Sequence, residues 1–341
     1  MLFSKKYLIF IIIITLLITE IFLRLKYSNP YKLEYIRSFE AYFQYDSFFG
    51  WVGRPNYSMN VPDFSYTLRF DRRGFPILPA IEHDAIKNDK KILCMGSCYT
   101  YGGPMLGPEK SFINLLTKEF YDQADFDAIG IMGYSLYHSY LLNKKYNDGS
   151  FSAVIALFSP DFDFYLNTPY YLHELSNRLV PHPYLKEMKL VHDPVPFRKS
   201  FWGSETEIWE RLTFKEQVLA NCYLLSAILS KVVVKTSFSP ELAKFILQEF
   251  KREVEARHGR LVILVMNLIV DKQDMKMKKI TDDFLAWMRD NNIDYVDLRE
   301  KLRGHSCIDR GDPFHINFEG QKIIKEELAA HLKKIGVFTS Q

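Results

Sequence analysis

Cysteine is scarce in this chain: four in 341 residues, at 94, 98, 222 and 307, with no Cys-x-x-Cys pair. That excludes a disulfide-dense scaffold and a thiolate metal site of the usual spacing, and leaves room for one bridge at most. An excess of one charge is missing too. A net charge of +3 is too small a bias to line a groove for nucleic acid, so no nucleic-acid partner is expected. Spaced glycines that let a pyrophosphate approach a helix are absent from the strand-to-helix turn Gly96-Ser97-Cys98, which argues against a nucleotide-binding α/β protein. Ser159, Asp161 and Asp163 alternate at a strand end without a histidine, a poor metal shell, and neither metal nor cofactor is expected. Small residues of a leader-cleavage site are also lacking after the first apolar run, where Glu20, Phe22 and Arg24 stand instead.

What is present is a chain 48% hydrophobic and 25% charged, enough for one large domain with a core plus appendages. Residues 7–23 form an apolar run between Lys5, Lys6 and Arg24, Lys26. At about 1.5 Å per residue it is only marginally long enough for a hydrocarbon core of about 30 Å, and it reads as an uncleaved membrane anchor. Glu20, one turn from its end, reaches the headgroups and needs no function. Basic residues flank both ends. The short N-terminal tail and long folded remainder place the domain outside the cytoplasm, in a single-pass protein of an inner or plasma membrane. The organisation expected is an anchor at 1–26, an aromatic juxtamembrane and β-rich lead-in at 27–90, and a main domain at 91–341.

From residue 91 the pattern alternates strand and helix, as in a parallel α/β sheet. Strands are expected at 91–97, 127–132, 153–159, 260–267 and 294–298, and helices at 111–121, 136–146, 281–291 and 319–335. Residues 163–259 form an insertion far longer than an ordinary loop. Its proline-rich part, 169–196, reads as an irregular lid and its stretches 219–234 and 240–258 as helical. Insertions at the C-terminal ends of strands are where such folds choose substrates.

KILCMGSCYTYG, residues 91–102, is the stretch around which the chain is organised: an apolar strand running into Gly-Ser-Cys and a helix start, the way a parallel sheet presents a nucleophile. Near the other end, Asp312 and His315 are three residues apart in DPFHIN, a spacing that lets a carboxylate orient an imidazole. Three readings of the turn stand open: Cys98 as a catalytic thiol, Cys98 bridged to Cys307 or buried and inert, and Ser97 as a displaced nucleophile. Tyr99, Tyr101 and Tyr134 either line a sugar surface or pack around the turn, and His173, His182 and His192 read as polar residues of the lid.

Taken together, GSCYTYG at 96–102, IGIMGYS at 129–135, VIALFSPDF at 154–162 and DPFHIN at 312–317 resemble the ordered blocks of the SGNH, or GDSL-type, hydrolases. In the lead-in, FGW at 49–51, RPN at 54–56 and RRGF at 72–75 resemble the membrane-anchored bacterial members. The resemblance implies a three-layer α/β/α sandwich around a five-stranded, mostly parallel, flavodoxin-like sheet. It also implies Cys98 in place of the nucleophilic serine and Ser97 in place of the preceding aspartate. Gly130 falls on the glycine whose backbone N–H helps hold the oxyanion, Asp161 on the asparagine that donates a side-chain hydrogen bond to it, and Asp312 and His315 on the relay pair.

The expected activity is that of an anchored esterase or acyltransferase acting on acyl groups of glycans or envelope lipids through a Cys98–His315–Asp312 relay. Asp161 counts against it, because a carboxylate where an oxyanion forms removes a donor and adds repulsion. The alternative is an inactive member of the fold that binds glycans or helps assemble an envelope machine.

Overall fold

The computed structural model describes residues 5–27, 43–61, 66–81, 88–165, 170–173, 178–181, 183–185, 238–267, 275–303, 308–309 and 312–339. The chain divides into two compact units, the first comprising Met1–Trp51, Thr168–His182 and Pro194–Thr236, the second Val52–Asn167, Pro183–Asp193 and Ser237–Gln341.

The first unit opens with helix α1 (Lys5–Tyr27), 23 residues long. Among the described side chains no helix is long and apolar enough to cross a membrane; those described without a break in α1 run from Ile9 to Phe22, and their large apolar members are exposed. Strand β1 (Phe43–Asp46) follows, and the chain passes into the second unit within β2 (Gly50–Gly53).

In the second unit, β3 (Ser58–Asn60) and β4 (Thr67–Arg69) form an antiparallel hairpin. The turn beyond it is a clamp. Asp71 Oδ1 accepts the backbone N–H groups of Arg73 and Phe75 at 2.8 and 2.9 Å, which fixes Arg73 so that its guanidinium forks onto both oxygens of Asp127 at 2.6 and 2.8 Å. The RRGF motif therefore straps the lead-in to the main sheet. Each member of the pair is 27% exposed, so we expect Arg73→Ala to cost only ~1–2 kcal/mol. Arg73→Lys should recover little of that, since an ammonium cannot make the fork. Urea unfolding midpoints check both values.

The sheet itself is built from β5 (Lys91–Gly96), β6 (Asp125–Gly130), β7 (Ala153–Phe158), β10 (Arg260–Val265) and β11 (Asp294–Asp297), in the order β11-β10-β7-β5-β6 with every neighbouring pair parallel. This is the flavodoxin-like order, and the expected sheet is what the chain forms. Residues of β7 are buried on both faces, which is why it reads as the continuous apolar run AVIALF. Between β5 and β6 lie the one-turn helix α2 (Gly103–Leu106) and α3 (Phe112–Glu119), then α4 (Leu136–Tyr146) before β7. The one-turn α5 (Pro160–Asp163) leads away from β7, and the hairpin β8 (Tyr170–His173) and β9 (Arg178–Pro181) belongs to the first unit.

Helix α6 (Pro240–Glu255) is the helix expected at 240–258. It packs against α4 and β10 through buried Leu242, Ile246, Leu247, Phe250 and Val254, and so serves as the crossover helix between β7 and β10. The stretch 219–234 lies outside the described residues. Helix α7 (Met275–Asp290) starts six residues ahead of the expected 281 and lies beside α6, while the one-turn α8 (Arg299–Leu302) follows β11. Short antiparallel β12 (Ile308–Asp309) and β13 (Asp312–Ile316) precede α9 (Phe318–Lys334), which packs with α3. Asn317 caps α9, its side-chain oxygen accepting the N–H of Gly320 at 3.1 Å, so the chain turns sharply just after His315.

Candidate active site

Strand β5 ends at Gly96 and the chain tightens at once into a 3₁₀ turn, Cys98–Tyr101. Thr100 locks this turn: its backbone N–H and its hydroxyl both donate to the carbonyl of Ser97, at 3.1 and 2.8 Å. Space for that hydroxyl exists because residue 130 is glycine; a Cβ there would lie 2.4 Å from Thr100 Oγ1. Cys98 is the first residue of the turn, where a backbone N–H has no acceptor within the helix. Cys98 is 6% exposed and its thiol is free, while residue 307, the partner expected for a disulfide, lies outside the described residues.

His315 arrives from β13 on the other side. Its Nε2 lies 3.4 Å from Cys98 Sγ, within hydrogen-bond reach for sulfur, across 217 residues of sequence. Gly103 lies against the ring, with a Cβ position 3.0 Å from His315 Cδ2, and Tyr99 flanks it at a ring separation of 6.0 Å. The structure thus brings Cys98 and His315 together. Ser97 instead spends its carbonyl on Thr100, and its half-buried side chain makes no cap bond. Asp312 has its backbone in β13, and its side chain lies outside the described set.

Strand order makes this a crevice. Cys98 emerges at the end of β5, which lies between β6 and β7, and the connections leaving the adjacent strands β5 and β7 run in opposite directions, to β6 and to β10. No family model and no curated protein matches the sequence. Solved structures do. The chain has structural neighbours among GDSL-type lipases and esterases. A GDSL-like lipase from Bacteroides thetaiotaomicron is 10% identical with a TM-score of 0.39, over 75% of this chain and 94% of that one. The esterase EstA from Pseudoalteromonas is 14% identical with a TM-score of 0.41, over 72% and 98% of the two chains. A catalytic mutant of the acetylxylan esterase Axe2 from Geobacillus stearothermophilus is 11% identical with a TM-score of 0.41, over 75% and 99%.

The remaining expected positions fall as follows. Gly130 ends β6, in register with Gly96, and the next N–H, that of Ile131, donates to Gly96 O at 3.2 Å. Alternation along a strand then turns the N–H of Gly130 away from β5. The turn beyond it, closed by Tyr134 N–H to Ile131 O at 3.1 Å with Gly133 at φ +81°, is the first backbone on that side to leave the ladder. The second glycine of IGIMGYS was the signal for it, and spacing alone does not choose between the two.

Asp161 is half-buried in α5, and no amide donor replaces it there. Two residues on, Asp163 is pushed up to about 7 by desolvation, which outweighs the pull of the Leu136 and Ser159 backbone N–H bonds, while the charge of Asp161 adds the smallest contribution. Cys94, behind the site in β5, is pushed far up by burial and then by Asp127, which leaves it an inert thiol. Tyr99, Tyr101 and Tyr134 are all buried and pack around the turn, so they form no sugar surface. His182 and His192 lie outside the described residues, as does the side chain of His173. Among the described residues no group of three His, Cys, Asp or Glu side chains is placed to hold a metal ion.

Proposed function

We propose that this chain is an acyl-transferring enzyme of the SGNH type, in which Cys98 is the nucleophile and His315 its general base. The observation that carries the reading is the 3.4 Å approach of Cys98 Sγ to His315 Nε2 at the crevice end of β5. His315 takes the thiol proton; the thiolate attacks the ester carbonyl, forming a C–S bond. The carbonyl oxygen becomes an oxyanion facing the N–H of Cys98 and the turn after β6. Collapse breaks the C–O bond, and His315 returns its proton to the departing alcohol. Water or a sugar hydroxyl then gives a proton to His315 and attacks the thioester, releasing the thiolate. Asp312 is the residue assigned to orient His315. Because a thioester is a more reactive acyl donor than an oxygen ester, transfer to a hydroxyl is served as well as hydrolysis.

The substrates assigned are acyl groups on glycans or envelope lipids, met by a domain held at the outer face of the inner or plasma membrane. Helix α1 carries the segment assigned to the anchor: its apolar residues 7–23 fall at the lower end of the about 17–25 residues that a bilayer span takes. Its two threonines also satisfy their hydroxyls internally, donating to the carbonyls of Ile11 and Thr15 at 2.9 and 2.8 Å, as a lipid environment requires.

Incubating the full-length protein with an aryl acetate and digesting it tests the reading. An acetyl group on the Cys98 peptide, removed by neutral hydroxylamine as a thioester is, supports it; acetylation confined to Ser97, or none, sinks it. Asp161 favours a second reading, a glycan-binding module without turnover, which predicts no acyl adduct but saturable glycan binding.

A further inference from the structure

Since Cys98 emerges between β6 and β7, the loops that leave those two strands are the walls of the crevice in which an acyl intermediate forms. One carboxylate joins the two walls. Asp163 Oδ2 accepts the N–H of Ser159 at 2.6 Å, where the chain leaves β7. Asp163 Oδ1 accepts the N–H of Leu136 at 2.7 Å, at the start of α4 and directly after the turn from β6. Neither donor has a partner supplied by regular structure: Leu136 is the first residue of its helix and Ser159 the residue after its strand.

We propose that Asp163 is a positioning residue for acyl transfer at Cys98: as a carboxylate it staples the loop after β6 to the loop after β7, and protonation opens one side of the staple. The proposal rests on reading Cys98 as the nucleophile. Ionised, both oxygens accept; protonated, one oxygen carries a hydrogen that faces an N–H, and one of the two bonds is lost. The donors an oxyanion needs, beyond the N–H of Cys98, must come from these walls, so their separation sets the rate.

The surroundings keep the carboxyl sensitive to pH. Its charged neighbour is Asp161 on its own turn. From α4 it faces Tyr137 and the N-terminal turn where His138 Nδ1 accepts the Ser135 N–H at 3.1 Å. From the start of α6, Ser239, whose hydroxyl oxygen accepts the Leu242 N–H, lines the same small cavity with apolar Leu242, Ala243 and Ile246, Glu241 lies in the same first turn, and α7 contributes Phe284 against Phe164. No described cation is among these groups, so nothing but the two N–H donors favours the ionised form, and titration at about 7 falls in the working range.

The test compares the full-length parent with Asp163→Asn and Leu136→Pro, measuring kcat on p-nitrophenyl acetate and the rate of Cys98 alkylation by iodoacetamide, each against pH. Alkylation reports the Cys98–His315 pair without needing an oxyanion. In the parent, kcat rises with pH through about 7 along a limb that alkylation lacks. In Asp163→Asn the amide turns a donor toward one N–H at every pH; kcat falls about ten- to a hundredfold, the limb disappears, and alkylation keeps the parent profile. Leu136→Pro deletes one donor at a helix position that accepts proline, so the limb persists with its midpoint moved upward. It also serves if the asparagine variant does not fold. A parent-like kcat profile in Asp163→Asn, or a fall in alkylation that tracks the fall in kcat, overturns the positioning role while the nucleophile stands. A parent with no turnover and no acyl-Cys98 overturns the nucleophile, and the positioning role with it.

Discussion

A Cys98→Ser variant is expected to turn over aryl esters about 10²- to 10⁴-fold more slowly than the parent, although serine is the nucleophile of the family this chain resembles. Geometry gives the first reason. The sulfur already stands 3.4 Å from His315 Nε2, and a serine's shorter bond to Cβ draws its oxygen back, beyond the about 3.2 Å over which a hydroxyl hands its proton to a base. Acidity gives the second, because a hydroxyl depends on that base far more than a thiol does. The measurement is kcat/KM on p-nitrophenyl acetate, with unfolding midpoints to confirm that the variant is folded. Turnover within tenfold of the parent would show that the thiol is not what the site is built around.

How far the sequence foretold this arrangement depends on the range over which each contact acts. The turn at Cys98 was legible because strand, glycine and helix start are contiguous in KILCMGSCYTYG, and the β7 run was legible because burial on both faces leaves an unbroken apolar segment. His315 was legible from its own motif, although only the fold shows that 217 residues of chain close to bring it to Cys98. IGIMGYS offers two glycines, and strand register, a property of the pairing with β5, decides which of them leaves the ladder. Asp163 was read as one of three alternating polar residues without a role, since what it binds is backbone N–H groups, one of them 27 residues away, and backbone carries no sequence signature. Arg73 and Asp127 show the same limit: RRGF was noticed as a motif, but its partner lies 54 residues on in an edge strand. Helix α6 was assigned to the insertion because nothing in its own amphipathic pattern separates a crossover helix from a helix of a lid.

Gly103→Ala is expected to reduce kcat about a hundredfold while leaving KM within a few-fold of the parent, because it acts on the base and not on the crevice walls. The added Cβ would start 3.0 Å from His315 Cδ2, so the ring has to move, and any displacement lengthens a Cys98–His315 approach of 3.4 Å that has no slack for proton transfer. Gly103 also has φ +69°, a conformation that a residue with a Cβ adopts at a cost of about 1–2 kcal/mol, so lost activity alone would not separate a moved histidine from a loosened turn. Gly336 supplies the control. It has φ +77° with nothing within 4 Å of its Cβ position, so Gly336→Ala carries the same backbone strain and touches no catalytic group. Both variants should lose comparable stability in urea, and only Gly103→Ala should lose turnover and slow the alkylation of Cys98 at neutral pH. Equal loss of activity in the two would mean that backbone strain, and not the packing of His315, governs the rate.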